Sequence, residues 1–304
     1  MRAAAARFER DRSHVSLLDR DPELAAAVPP EEYATARPVL AGELVRVTDG
    51  AGSNVASLMG ASDTWGLYVL SGVVIRTVSM GRATVPEVIG SGHLLGPPAR
   101  MDSVLAVHED LVAIEATDVV ILGERAARAI SHWPALLVIW QRRESVRRVR
   151  AATLGVVAQL ANVEVRLLAV LWHLAEDWGV VGAQGTTLAF PLTHETLGRF
   201  VGAQRPTVSL ALKRLHHEGL VRRLQNGSWL LAPGSDELLR CTIAADLPLT
   251  GPTAQAGVTH ARANGHGPAA ESRRRARELV EAAAALQAEA AQIQRRARQK
   301  RFDR

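Results

Sequence analysis

From Thr193 to Arg223 the chain carries Arg199, Arg205, Lys213, Arg214, Arg222 and Arg223 against only Glu195 and Glu218, a net charge of +4. Cations this dense suit a polyanion, because neutralising phosphates and releasing counterions drives protein–DNA association whatever the base sequence. Arg205, Thr207, Ser209 and Lys213 fall on one side of a helical spacing whose other side is Val208, Leu212 and Leu215. That division leaves a polar edge free to meet a duplex. No comparable set of residues points to catalysis. There is no Gly-x-Ser-x-Gly elbow and no phosphate loop, and His194-Glu195 lacks the second histidine of a zinc-protease helix. His93 and His108 stand fifteen residues apart with no third ligand, so no metal and no cofactor are expected, and no enzyme.

The elements that must position the cations are legible in the same stretch. Thr193 suits an N-cap, and Leu197, Phe200 and Val201 give the helix after it one apolar face. Gly202-Ala203-Gln204 breaks that helix with a short turn, glycine tolerating the positive φ involved. A second helix opens at Arg205-Pro206, where proline's missing N–H is harmless, and ends at Gly219. Leu220–Leu224 and Ser228–Leu231 flank Asn226-Gly227, a strong hairpin-turn signal. Helix, tight turn, helix and hairpin make a winged helix-turn-helix. An amphipathic helix pair with solvated arginines would account for the charge, but not for turn and wing as well.

Val163–Trp178, Leu192–Leu215 and Glu218–Leu231 resemble the C-terminal domain of the Crp/Fnr superfamily of bacterial transcription regulators. The residues carrying the resemblance are Leu192-Thr193-x-Glu195, Leu197-Gly198, Val201-Gly202, Arg205-x-Thr207-Val208, Leu212-Lys213-x-Leu215 and Glu218-Gly219-Leu220-Val221. It extends more loosely over residues 15–233. It implies that the helix Arg205–Leu215 enters the major groove of double-stranded DNA, Arg205 reading a base while Thr193, Gln204 and Thr207 hold phosphate oxygens. Pro206 and Leu210 stand where the family has a base-reading glutamate and arginine, so the operator cannot be copied from relatives. Arg222 and Arg223 on the wing would add charge. A homodimer on a near-palindromic site, and RNA polymerase as a further partner, are also implied. An architectural DNA-coating protein using its basic tail is the alternative.

Upstream, Leu44–Thr48, Leu67–Leu70, Val73–Val78, Val85–Ile89, Leu111–Ala116 and Val119–Leu122 alternate with glycines, which predicts an antiparallel jelly roll and an α+β chain. Leu67–Gly72 resembles the strand-into-turn signature of the superfamily's sensor domain. Gly92-His93-Leu94-Leu95-Gly96 fits the lead-in to its nucleotide pocket. Pro97-Pro98 then replaces Glu-Leu, and His108-Glu109 falls near the place of Arg-Ser, with Arg100 the nearest arginine. An acidic side chain beside a phosphate repels it, so cyclic AMP and cyclic GMP are not expected as ligands. An unknown small-molecule effector stays open. In the helix predicted from Pro134 to about Leu160, Val146, Val149, Thr153, Val156 and Leu160 repeat at spacings of 3, 4, 3 and 4, a coiled-coil seam for the dimer.

The 304 residues thus divide into an N-terminal segment of loose or short helices (1–37), a β-roll (38–122), a hinge and dimerisation helix (124–161) and the winged domain (162–233). A Gly/Ala/Pro/Thr-rich flexible linker (234–270) and a basic Ala-rich helix (271–304) follow. Of the net charge of +5, residues 1–192 hold −3 and residues 271–304 hold +5, so a polyanion would meet the C-terminal half. Cys241 is the single cysteine, which excludes an intrachain disulfide and a self-contained iron–sulfur cluster. The charges in MRAAAARFERDRSH leave no signal-peptide core, and no uncharged apolar run reaches about 18 residues. A soluble cytoplasmic protein with no membrane partner is the expectation.

Overall fold

The computed structural model describes residues 8–47, 55–60, 64–81, 83–96 and 104–245, which fall into two compact units dividing at Gly155 and Val156. In the first unit β1 (Phe8–Ser16) is followed by short helices, among them α1 (Pro22–Ala26) and α2 (Tyr33–Val39), and then by β2 (Ala41–Val47). The roll continues with β3 (Thr64–Ser71), β4 (Val74–Met80), β5 (Ala83–Ile89), β6 (Leu94–Leu95), β7 (His108–Ala113) and β8 (Thr117–Gly123). One sheet has the order β1-β2-β8-β3-β6 and the other β5-β4-β7, every pairing antiparallel. Side chains alternate across a strand, so Leu67 and Val69 of β3 join Val74, Ile89, Leu111 and Val119 in one core cluster. Tyr68, between them, joins the cluster of Leu17, Leu24, Trp133, Leu136 and Trp140 instead. That second cluster holds α3 (Glu124–Ile130) and α4 (Pro134–Val157) to the roll. Each fully buried leucine or valine contributes about 1.5–3 kcal/mol, which fixes the helices more firmly than their own propensity would.

Two expectations about this unit are corrected. Phe8–Ser16 is not loose helix but the edge strand β1, paired with β2 from Phe8↔Val47 to Ser16↔Ala41 around a bulge between Asp11 and His14. The bulge resets the register mid-strand, which removes the simple alternation that marks a strand in sequence. Secondly, α4 stops at Val157, so Leu160 lies beyond the seam helix. The chain must turn there because Asn162 caps the next helix, accepting from the amides of Glu164 (2.8 Å) and Val165 (3.4 Å). The Arg166 guanidinium gathers the freed carbonyls of Leu160 and Ala161.

The second unit contains α5 (Val163–Trp178), β9 (Gly179–Gly182), β10 (Gly185–Leu188), α6 (His194–Val201), α7 (Arg205–His217), β11 (Val221–Arg223), β12 (Trp229–Leu231) and α8 (Ser235–Ala245). Its sheet runs β11-β12-β10-β9, so the predicted two-stranded wing is half of a four-stranded sheet. Leu167, Leu171 and Leu174 of α5 are buried, as are Leu197, Phe200, Val208, Leu212, Leu215 and Trp229. The flexible-linker reading fails over α8. There Leu239 and Thr242 are buried, and Trp172 donates its indole N–H to Ser235 Oγ at 3.0 Å. The rest of the predicted linker and the basic helix 271–304 lie outside the described residues.

Candidate nucleic-acid interface

The hydroxyl of Thr193 accepts the amide of Thr196 at 3.0 Å and starts α6. At the other end Gly202 takes φ +62°, and the Ala203 amide returns to the Gly198 carbonyl at 3.0 Å. Gly198 must lack a side chain, since a Cβ there would sit 2.5 Å from the Ala203 carbonyl oxygen. This close turn sets the start of α7 against α6. Val208, Ala211, Leu212 and Leu215 face inward from α7, while Gln204, Arg205, Thr207, Leu210 and Lys213 are exposed or nearly so. The polar edge expected from the spacing therefore points to solvent.

Not every predicted contact is equally available. Ser209 is half-buried, its hydroxyl donating to the Arg205 carbonyl at 2.9 Å and lying 2.8 Å from His194 Nδ1. Arg199 is paired with Glu195 (3.0 Å) and Arg214 with Glu164 (2.7 Å). Arg205, Lys213, Arg222 and Arg223 have no ion pair among the described residues, and all four are exposed. On the wing, Asn226 Oδ1 accepts the Ser228 amide at 3.1 Å and Gly227 takes φ +85°. Arg222 donates to Gln184 Oε1 at 3.2 Å, and the Arg223 guanidinium lies 5.7 Å from the Trp229 ring centroid, a cation–π contact. Trp229 is anchored through its indole N–H to the Leu192 carbonyl at 3.3 Å.

His194, which the sequence singled out only for what it lacked, sits where these pieces meet. It opens α6, bonds Ser209 of α7 and stacks obliquely 6.2 Å from Trp229 of β12. Partial burial pushes its pKa below the ordinary histidine value, and the positive charges of Arg223 and Arg205 push it further.

The predicted ligand-pocket residues are differently employed. The Gly92 carbonyl accepts from Arg143 at 2.9 Å, and His93 donates from Nδ1 to the Gly90 carbonyl at 3.0 Å. His93 precedes β6 of one sheet, whereas His108 opens β7 of the other and is exposed. Gly96 is exposed, and Arg100 lies outside the described residues. Among the described residues no three potential metal ligands cluster. Strand register puts Arg76 opposite Glu87 and Leu111, on the side of β4 that also faces the core residues Val74 and Ile89. There Arg76 binds Glu109 (2.8 Å) and Glu87 (3.4 Å), and Arg147 of α4 binds Glu87 (2.8 Å) and Glu144 (2.7 Å). Burial raises the Glu87 pKa against the pull of the two guanidiniums. Arg143, four residues earlier on α4, reaches Asp21 (2.7 Å), Glu23 (2.6 Å) and the Tyr68 hydroxyl (3.0 Å). None of the pairs that join α4 to the roll was visible in sequence, because their members lie tens of residues apart.

A helix-turn-helix with a charged wing makes up one unit of a chain whose other unit is a β-roll. Residues 165–233 match the family of the Crp-like helix-turn-helix domain. No curated protein matches the chain. Among solved structures, the c-di-GMP responsive regulator CLP of Xanthomonas campestris is 19% identical with a TM-score of 0.50, covering 68% of this chain and 99% of that one. A CooA mutant from Carboxydothermus hydrogenoformans is 19% identical with a TM-score of 0.48, covering 62% and 82%. A transcriptional regulator of the CRP family from Thermus thermophilus is 18% identical with a TM-score of 0.46, covering 62% and 91%. Residues 165–233 are a Crp-like helix-turn-helix domain, and the chain has the fold of the Crp/Fnr transcription regulators. Among the described residues no helix is long and apolar enough to cross a membrane.

Proposed function

We propose that the chain acts as a homodimer which recognises near-palindromic operators through α7 and controls transcription with RNA polymerase as its further partner. The observation that carries this reading is the outward edge of α7, where Arg205 and Lys213 are exposed and free of ion pairs among the described residues. Arg205 reads guanine, Thr193, Gln204 and Thr207 hold backbone phosphates, and Lys213, Arg222 and Arg223 add attraction that is independent of sequence. Ser209 takes part through its bond to the Arg205 backbone. Val146, Val149, Thr153 and Val156 support the dimer, since all four are exposed on a lone chain and Val149 is 67% exposed. Two units on a twofold axis match half-sites about 34 Å apart.

The β-roll works in this proposal without cyclic AMP. Its charged inner row carries Glu87 and Glu109 where a phosphate would need cations, and Arg76 and Arg147 are already paired with those carboxylates. No enzymatic step is proposed. Footprinting on genomic DNA, with light scattering for the oligomer, tests the reading. Discrete palindromic footprints by a dimer are expected. Continuous protected tracts would establish a coating protein instead, and calorimetric binding of cyclic AMP at micromolar concentration would overturn the reading of the roll.

A further inference from the structure

We propose that His194 is a proton-linked phosphate contact, one that picks up a proton from solvent when the backbone of a duplex docks between the first turn of α6, the first turn of α7 and the wing. The inference rests on the DNA-binding reading above and adds a residue and a chemical step to it. Three basic residues from three elements surround this place: His194 of α6 lies 6.2 Å from the Trp229 ring, the Arg223 guanidinium of β11 lies 5.7 Å from the same ring, and Arg205 of α7 accepts at its carbonyl from the Ser209 that His194 bonds. No acidic group is among the influences on His194, and its neighbour Glu195 is engaged with Arg199 at 3.0 Å. Among the described residues, the other groups against the ring are neutral, Ser209 of α7 and Trp229 of β12. Unoccupied, the cluster repels a third positive charge. With a phosphate in it, the sign of the surrounding potential reverses.

The hydrogen bonds decide which nitrogen does the work. A serine hydroxyl has one proton, and that of Ser209 goes to the Arg205 carbonyl at 2.9 Å. The 2.8 Å contact between His194 Nδ1 and Ser209 Oγ must then be donated by Nδ1–H. A neutral ring with its single proton on Nδ1 presents a bare lone pair at Nε2, which cannot donate to a phosphate oxygen. Contact therefore requires a second proton, taken from solvent and placed on Nε2, giving an imidazolium that donates from both nitrogens. The same relay ties the cation to the carbonyl of Arg205, so loading Nε2 tightens the turn that carries the base-reading arginine.

The linkage has a fixed sign. Binding that raises the affinity of His194 for a proton must grow stronger as pH falls, by up to about tenfold per pH unit for each domain while the free ring is neutral and the bound ring charged. The test uses the full chain and a fluorescein-labelled duplex of random sequence, since phosphate contacts do not depend on bases. Anisotropy titrations at constant ionic strength from mildly acidic to mildly alkaline pH, and calorimetry in phosphate and Tris buffers, count the protons taken up. Uptake approaching one proton per domain near neutral pH is expected in the wild type. It should vanish in His194→Gln, whereas the double change His216→Gln and His217→Gln at the far end of α7 keeps it. His194→Lys should bind at alkaline pH as tightly as the wild type does at acidic pH, which separates loss of charge from loss of fold. Equal proton uptake in the wild type and His194→Gln would overturn the proposal while leaving DNA binding intact. Failure of every form to bind duplex in dilute buffer would overturn the underlying reading as well.

Discussion

Replacing Arg143 with alanine should destabilise the first unit by about 2–3 kcal/mol at neutral pH, a figure that follows from the partners left behind. Arg143 is 18% exposed and serves the Asp21 and Glu23 carboxylates, the Tyr68 hydroxyl and the Gly92 carbonyl at once. Breaking a fully buried pair on one side costs about 3–5 kcal/mol. The lower figure applies because Glu23 is 36% exposed, and because Asp21 keeps Tyr68 and the amides of Glu23 (3.0 Å) and Leu24 (3.1 Å). For a unit spanning Met1–Gly155 such a loss lowers the melting temperature by about 5–10 °C. Acidity supplies an internal check. Burial raises the Asp21 pKa, but Arg143, Tyr68 and the Leu24 amide outweigh it and leave the carboxyl below its ordinary value. A carboxyl with a depressed folded-state pKa stabilises the fold above its unfolded value of about 3.9, and that contribution disappears as pH falls through the folded value. The gap between wild type and Arg143→Ala, followed by urea denaturation, should therefore be wide at neutral pH and shrink below about pH 4. A variant within about 0.5 kcal/mol of wild type, or a gap unchanged by acid, would refute the reasoning.

Other consequences are quicker to check. Gly198→Ala would press a methyl group against the Ala203 carbonyl, with 2.5 Å available, so the second unit should lose about 1–3 kcal/mol and its affinity for DNA, measured by thermal melts and anisotropy. Thr193→Ala removes the cap that accepts the Thr196 amide and should cost about 1 kcal/mol with far-UV circular dichroism otherwise preserved. Val149→Glu places a charge on the exposed seam, so light scattering should report monomers while the melting temperature of the first unit stays within a few degrees.

The winged domain was legible because its signals are local. Thr193 caps, Gly202 turns, Pro206 opens a helix and Asn226-Gly227 closes a hairpin, all within a span where each residue acts on near neighbours in the chain. The roll's longer strands were legible for the same reason, β4 and β5 declaring themselves as short apolar runs between glycines. Phe8–Ser16 was not, since its register slips between Asp11 and His14 and Phe8 and Val15 are its only large apolar residues. Ser235–Ala245 was hidden by the Gly, Pro and Thr that surround it, although Asp236, Glu237 and Arg240 already form the ion pairs of a helix surface. The role of His194 depends on Ser209, fifteen residues on, and on Trp229, thirty-five on. Arg76, Glu87, Glu109 and Arg147 meet only after three strands and a helix have packed. Periodicity cannot report such meetings; only register can.

The central claim, that α7 reads bases while the wing supplies charge, is tested most directly by comparing Arg205→Ala with Arg222→Ala on an operator recovered by footprinting and on random duplex. Arg205→Ala should reduce the preference for operator by about 1–3 kcal/mol. Arg222→Ala should weaken both duplexes alike and lower the salt dependence by about one phosphate contact. If both substitutions weaken the two DNAs equally, or if the wild-type chain ignores duplex in dilute buffer, α7 is not the reading element and the account is wrong.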